Sequence, residues 1–155
     1  MRSKAYPHPE ERPTGASIGR CKIFLGLLEE AILAQDEAIR LSPRDPNIWN
    51  WYFRIGQAYL LQSRIDQAVA WFERARSANP APPFVHLYLA SAYALIGDTE
   101  RAAAELAEAR TRTGWDFYLS IAHIRALADY GVPAVRALFE ATYFAGLRKA
   151  GIPED

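Results

Sequence analysis

Apolar and small side chains recur at helical spacing through most of the chain, most clearly in residues 49–82. There they form two runs separated by a short polar turn, and this period predicts two amphipathic helices packed antiparallel. Small Gly56 and Ala68 are expected to let the two helices approach closely, with Phe72 filling the space beside them. Pro80 is expected to stop the second helix because proline cannot continue one.

The same pattern returns on both sides of this stretch, at a step of 34 residues after it and with three extra residues, 46–48, before it. The first helix of the first unit is the weakest, because Gly15 and Gly19 lower helix propensity and Lys22 stands where an aromatic is expected. In the last unit, Arg136 stands where a small residue is expected, so we expect this pair to tilt away from the row or to cap it. The predicted units are residues 12–45, 49–82, 83–116 and a degenerate pair at 117–150.

The two ends of the chain lack this pattern. Residues 1–13 contain three prolines and no apolar period, and we predict a disordered lead-in. Residues 151–155 are predicted to be a frayed tail, which places the folded domain at 14–150. Eight helices and no strand candidate predict an all-α fold in which antiparallel helix pairs stack in a row.

Composition limits the kind of partner. Among 155 residues, 18 basic side chains balance 18 acidic ones, so no overall field favours nucleic acid or an anionic membrane. Residues 77–97 carry no Asp, Glu, Lys or Arg, but prolines at their start leave about 14 apolar-rich residues, fewer than a membrane span needs. The single Cys21 excludes an internal disulfide. We predict a cytoplasmic protein that binds neither membrane nor nucleic acid.

Catalytic and metal-binding patterns are missing from the sequence. No nucleophile elbow, phosphate-binding glycine loop or dinucleotide fingerprint occurs, so we predict no enzyme and no cofactor. His86 occupies a helix-packing position and is predicted to be a core histidine, and His123 has no ligand-like neighbour, so no metal site is expected. Glu105 and Glu108 are predicted to lie on an outer, solvated helix face among arginines.

The repeated positions carry a family resemblance. Tyr52, Gly56 and Phe72 in the second unit, like Ala90 and Tyr93 in the third, stand at the positions typical of the tetratricopeptide repeat. The chain resembles that family over roughly residues 28–116. The resemblance implies a right-handed α-solenoid of about three repeats plus a capping pair, whose concave groove takes an extended peptide or a helix of a partner protein.

The resemblance also implies which side chains line the groove. We expect the aromatic and aliphatic ones to anchor an apolar segment, and the amide and guanidinium groups to hold its backbone. Tetratricopeptide-repeat proteins that bind chaperones hold the C-terminal carboxylate of their partner with several basic residues. The predicted groove has too few basic residues for such a clamp. The alternative is that residues 115–149 fold back over the groove and that these side chains are simply core. The predicted groove residues are Asn50, Phe53, Arg54, Gln57, Phe84, Leu87, Tyr88 and Ser91.

A narrower resemblance concerns the segments 41–46, 71–80, 89–95 and 139–150. These are similar to the C-terminal repeat region of bacterial adenylate cyclases and of winged-helix signalling regulators. No cyclase carboxylate pair or winged-helix segment precedes residue 18, so neither activity is carried over. The resemblance implies a non-enzymatic scaffold that serves as a regulatory module, or a truncated remnant of one, and binds a protein or peptide.

Two other functions are compatible with the same sequence. A poor first helix would leave the second helix of the first unit uncovered, and an uncovered apolar end is a natural interface between two copies. Self-association is therefore the first alternative. The second is a gene fragment with no function, which the proline-rich start of the chain allows.

Overall fold

The computed structural model describes the backbone of residues 15–155 and the side chains from residue 17 onward. The predicted lead-in, residues 1–13, lies outside the described residues. Three antiparallel helix pairs form most of the fold, and no strand occurs in the described part. The pairs are α1 (Gly15–Phe24) with α2 (Leu28–Leu41), α3 (Ile48–Leu61) with α4 (Ile65–Ala78), and α5 (Pro83–Leu95) with α6 (Thr99–Arg110).

The second pair packs as its sequence predicts. A methyl group at Gly56 would lie 2.6 Å from a ring carbon of Phe72, so only glycine permits this approach of α3 to α4. Ala68 and Phe72 are fully buried beside it. The following pairs repeat the arrangement, because α4 packs on α5 and α5 packs on α6. The prediction of an all-α row of stacked helix pairs is confirmed.

The turns within the pairs use left-handed backbone. Ser63 has φ 60° and Gly97 has φ 81°, and each lies two residues after the last residue of the first helix of its pair. Asp98 then caps α6, because its Oδ1 accepts a hydrogen bond from the Arg101 amide at 3.1 Å. Pro83 stands at the first turn of α5, where a missing N–H costs nothing.

The first helix forms in spite of its low propensity, because tertiary contacts override that preference. Ile23 is fully buried, and a methyl group at Gly19 would lie 2.1 Å from the Gln35 side chain. Gly19 therefore has the same role between α1 and α2 that Gly56 has between α3 and α4.

The fourth unit departs from a regular helix pair. Instead of one helix over residues 115–129, a 3₁₀ turn (Trp115–Tyr118) and the short α7 (Ile121–Ala126) form. The break falls at Ser120, whose backbone is extended and whose Oγ accepts the His123 amide at 3.1 Å. A serine in this conformation starts a new helix, so the prediction of one long helix is wrong.

The second half of the fourth unit is one continuous helix. It comprises α8 (Pro133–Phe139), a π-helical turn (Glu140–Phe144) and α9 (Ala145–Ala150), called the C-terminal helix below. It packs on α5 and also touches α3, on the side where the first helices of the pairs lie. The loop before it reaches α1, where the Val132 amide donates to the Phe24 carbonyl at 3.0 Å. The fourth unit therefore spans the concave face from α5 to α1.

The predicted frayed tail is packed instead. Ile152 is buried, and the Pro153 and Glu154 carbonyls accept hydrogen bonds from the Ile121 and Ala122 amides at 2.8 and 2.9 Å. These amides at the start of α7 have no partner inside their own helix, so the tail satisfies them. Among residues 15–155, no helix is long and apolar enough to cross a bilayer.

Candidate functional site

The eight predicted groove residues lie on α3 and α5, as expected for first helices that form a concave face. Their exposure differs from that of an open groove. Asn50, Arg54 and Phe84 are partly exposed. The buried ones are Phe53, Gln57, Leu87, Tyr88 and Ser91.

The C-terminal helix covers one end of this face. Ser91 Oγ donates to the Tyr143 carbonyl at 2.8 Å, and a methyl group at Gly146 would lie 2.1 Å from that same Oγ. The Tyr143 ring stacks on Tyr88, with centroids 3.8 Å apart and planes 9° from parallel. Leu87 is fully buried on the same helix. In this structure neither Ser91, which the C-terminal helix covers, nor the fully buried Leu87 is open to a partner.

The other end of the face stays open as a cavity of about 240 Å³. Its walls come from α1, α3 and α5 on one side and from the fourth unit on the other. Five predicted residues line it: Phe53, Arg54, Gln57, Phe84 and Tyr88. Asn50 does not, and its Oδ1 is buried without a hydrogen-bond partner among the described residues. The remaining lining residues are Arg20, Phe24, Tyr118, Ile124, Leu127, Ala128, Tyr130 and Tyr143.

The aromatic walls of the cavity support one another. The Phe53 ring meets Phe84 at 5.0 Å and Tyr88 at 4.9 Å, both edge to face. Behind them Phe72 packs on Phe53 at 5.6 Å. Such edge-to-face pairs favour one arrangement of the rings. The apolar side of the cavity is therefore pre-formed.

A line of polar groups runs along the floor of the cavity. Arg54 Nη1 donates to Gln57 Oε1 at 2.9 Å, and Gln57 Nε2 donates to the Tyr88 hydroxyl at the same distance. The Arg54 guanidinium also lies 5.2 Å from the centre of the Phe53 ring. Burial lowers the pKa of Arg54 to about 10 and raises that of the Tyr88 hydroxyl. The arginine therefore carries its charge at neutral pH in a desolvated position.

Two groups of lining residues were missed in the sequence. Arg20 stands in the first unit at the position that Gln57 and Ser91 hold in the next two, so the repeat register, with the three extra residues 46–48 allowed for, could have identified it. Tyr118, Tyr130 and their neighbours come from the degenerate fourth unit, where no register applies.

A second buried polar cluster lies between α5 and α6. His86 is buried as predicted, with its Nδ1 2.8 Å from Glu105 Oε2 and its Nε2 2.7 Å from the Pro80 carbonyl. Burial lowers the pKa of His86. Glu105 is buried and also pairs with Arg76, so the prediction that it lies on an outer face is wrong. A surface depression of about 440 Å³ borders Arg76 and Glu105, but His86 does not line it, so the buried contact of His86 with Glu105 is part of the core.

Metal chemistry has no support in the described chain. No group of three His, Cys, Asp or Glu side chains lies close enough together to hold a metal ion there. Cys21 is exposed and unpaired with another cysteine.

Comparison with known proteins agrees with the repeat register. The model of the tetratricopeptide repeat matches residues 16–45 and 52–82, which hold the first two helix pairs. Superkiller protein 3 of Schizosaccharomyces pombe is 32% identical over 92 residues, which is 59% of this chain and 6% of that protein. The chain thus corresponds to a small part of that relative. Through its helix pairs, the chain is similar to tetratricopeptide-repeat proteins.

Proposed function

We propose that this chain is a non-enzymatic scaffold that binds a protein partner at the open end of its concave face. Tetratricopeptide repeats indicate a protein-interaction module. The observation that carries the proposal is the cavity, because five of the eight residues that the repeats direct to the concave face line it.

The shape of the site limits how a partner binds. The C-terminal helix covers Ser91, so a long peptide has no continuous groove along α5. One apolar side chain of the partner would enter between Phe53 and Phe84, and the surrounding rim would contact its backbone. A few buried aromatic residues of this kind carry most of the energy of protein interfaces.

The test is affinity capture with a cavity variant and a matched surface variant. Phe84→Ala removes a partly exposed ring at the cavity, whereas Phe117→Ala removes a ring that is 62% exposed and outside it. We expect a partner retained by the wild type and by Phe117→Ala to be lost from Phe84→Ala. Circular dichroism of each variant checks that its helices are intact.

Equal capture by a folded Phe84→Ala variant would contradict the proposal. Loss of capture from both variants would contradict it as well, because binding would then depend on exposed aromatic surface in general.

The regulatory role belongs to the same proposal. The resemblance of segments such as 71–80 and 139–150 to the C-terminal repeats of bacterial signalling proteins supports a regulatory module that acts in the cytoplasm. The cavity would then be the place where such a module receives its partner.

Self-association is a second candidate, favoured by one observation. Leu25, Leu33 and Leu41, on α2 and the turn before it, are 61%, 67% and 71% exposed. Light scattering of the wild type and of a Leu33→Lys, Leu41→Lys variant tests it. A concentration-dependent dimer that the variant loses would support self-association, and a monomer at high concentration would remove it.

A further inference from the structure

The cavity contains a cation without a counter-charge. The Arg54 guanidinium makes one hydrogen bond, to the neutral Gln57, and its Nε is buried with no partner in the described part of the chain. Removing a charge from water is costly unless a partner compensates it. A side chain kept in this state is therefore either tolerated at a cost to stability or completed by a ligand.

The charges around Arg54 add to this imbalance. A second guanidinium, that of Arg20, also lines the cavity, and no aspartate or glutamate does. Its positive charge contributes to the lowered pKa of Arg54. Arg20 rests on the Phe24 ring, 5.3 Å from its centre, and forms no ion pair among the described residues. The positive charge of the cavity lining thus favours binding of an anion.

Tyr88 supplies a further hydrogen-bond donor. Its hydroxyl accepts from Gln57 Nε2 at 2.9 Å, and the hydroxyl proton has no acceptor within the described chain. Gln57 thus links Tyr88 to Arg54. A planar carboxylate can accept from a guanidinium and a hydroxyl together, and charge-assisted bonds of this kind are the strong ones.

The size of the cavity limits the rest of the ligand. Its volume of about 240 Å³ is smaller than the ~300–1,000 Å³ of pockets that hold drug-sized molecules. Phe53, Phe84 and Tyr143 form walls that suit an aromatic ring or a branched aliphatic group. Since the C-terminal helix closes the groove beyond Tyr88, no path is left for a peptide main chain along α5.

We propose that the cavity binds a small free carboxylic acid with an aromatic or branched apolar body, held by Arg54 through its carboxylate. Arg20 attracts the anion at the mouth, and the Tyr88 hydroxyl donates to the second carboxylate oxygen. The apolar body fills the space between the phenylalanine rings and Tyr143. The acid would occupy the same cavity that the proposed function assigns to a side chain of a partner protein. The inference goes beyond protein binding because it names a free small ligand that needs no partner.

The experiment uses phenylacetate as the probe and its neutral isostere phenylacetamide as the chemical control. Binding to the purified full chain is followed by the shifts of backbone amide and arginine Nε–H signals in NMR titrations. We expect saturable binding of phenylacetate that shifts signals of α3 and of the C-terminal helix. Phenylacetamide should bind at least tenfold more weakly, since it lacks the charge that Arg54 recognises.

Two arginine variants test whether phenylacetate binding needs the charge of Arg54 in particular. Arg54→Gln should weaken phenylacetate at least tenfold. Arg74→Gln should leave the affinity unchanged, because Arg74 is an exposed arginine stacked on Trp71 at 4.8 Å, outside the cavity. The ligand-free Arg54→Gln protein should melt no lower than the wild type, because the substitution removes a partly buried charge that has no counter-charge in the cavity.

Several results would overturn the proposal. Equal affinity for acid and amide would remove the role of charge, and an unchanged affinity in Arg54→Gln would remove the role of this residue. A clearly lower melting temperature of Arg54→Gln, with no phenylacetate binding by the wild type, would make Arg54 structural. Tighter binding of a longer peptide that ends in phenylalanine would assign the site to a chain terminus. The proposed function has its own test, because capture compares Phe84→Ala with Phe117→Ala and does not depend on acid binding at Arg54.

Discussion

Glu105 and Glu108 lie three positions apart on α6, and the fold gives them different surroundings. Glu105 is buried between His86 and Arg76, whereas Glu108 is exposed and pairs with Arg112 at 3.0 Å. Exposed ion pairs contribute little to stability, but a buried partner that is lost leaves other polar groups unsatisfied. The two glutamates should therefore contribute different amounts to the free energy of unfolding.

Paired substitutions measure this difference. Glu105→Ala should lower the free energy of unfolding by about 1–3 kcal/mol, because His86 Nδ1 loses its partner in the core. Glu108→Ala is the matched control and should cost about 0–1 kcal/mol. Urea unfolding followed by circular dichroism gives both values. An equal loss of free energy of unfolding in both variants would show that the buried cluster stabilises the fold no more than an exposed ion pair does.

The buried position of Glu105 could have been predicted from the sequence. It precedes Leu106 and stands between Ala102 and Ala109, all three of which are buried at helical spacing. A wider apolar stripe would have included it. A charged side chain by itself favours an outer face, and the pairing of Glu105 with Arg76 and His86 depends on neighbouring helices that the sequence of α6 does not show.

At the scale of elements, the C-terminal helix decides what the concave face can do. Its π-helical turn widens the backbone where it meets α5, and Thr142, Tyr143 and Phe144 are buried in succession. Such turns are rare and occur often at functional sites. The close contact of Gly146 with Ser91 then brings the helix near enough to stack Tyr143 on Tyr88.

The substitution Gly146→Ala tests this close contact through the sign of its effect. In a helix interior, glycine to alanine normally stabilises by about 0.5–1 kcal/mol. Here the added methyl would lie 2.5 Å from the Ser91 carbonyl oxygen, so we expect destabilisation of about 1–3 kcal/mol, typical of overpacking. The free energy of unfolding in urea is the measurement. A more stable Gly146→Ala protein would mean that the helix does not sit on α5 as described.

The helix pairs could be predicted from sequence, whereas the docking of the fourth unit could not. The contacts of Gly56, Ala68 and Phe72 can be predicted because small and apolar residues recur at the same positions 34 residues later. Tyr143 and Gly146 belong to a unit that has lost the register, and their contacts with Tyr88 and Ser91 are more than 50 residues away along the chain. Hydrophobic period identifies a helix and its apolar face, but it does not say which distant surface that face covers.

At the scale of the whole molecule, the cavity lies where the first helices of the three pairs meet the fourth unit. Three tyrosines around it, Tyr88, Tyr130 and Tyr143, are buried, and burial raises the pKa of each hydroxyl. Each raised pKa couples the ionisation of a tyrosine to the integrity of the fold. Alkaline pH therefore probes the packing of the fourth unit against the repeats.

The sign of the effect follows from the neutral state of the buried hydroxyls. Below pH ~10, the value for an unfolded tyrosine, these groups are neutral in both states and their contribution to stability is complete. Above it the unfolded chain loses their protons first, so stability falls by about 1.4 kcal/mol per pH unit for each tyrosine. Urea unfolding between pH 8 and alkaline pH, with tyrosinate absorbance in parallel, measures this. Ionisation of all tyrosines near pH 10 in a folded protein would contradict the buried arrangement.

The same closure explains why the repeats present a small cavity and not a long groove. The chain binds its own C-terminal helix where Ser91 would otherwise meet a partner, and it keeps the end near Arg54 open. The proposed functions follow from this division of the concave face. They depend on the helix being docked in solution.

The most direct test of that docking is a nuclear Overhauser measurement on the full chain. With ring centroids 3.8 Å apart, Tyr143 and Tyr88 should give strong cross-peaks between their ring protons, and Tyr143 should also give cross-peaks to Ser91. The Phe53–Phe72 contact inside the second repeat, at 5.6 Å, is the internal control. Our account predicts both sets of cross-peaks in one sample. Cross-peaks for Phe53–Phe72 without any for Tyr88–Tyr143 would show an open groove and contradict it.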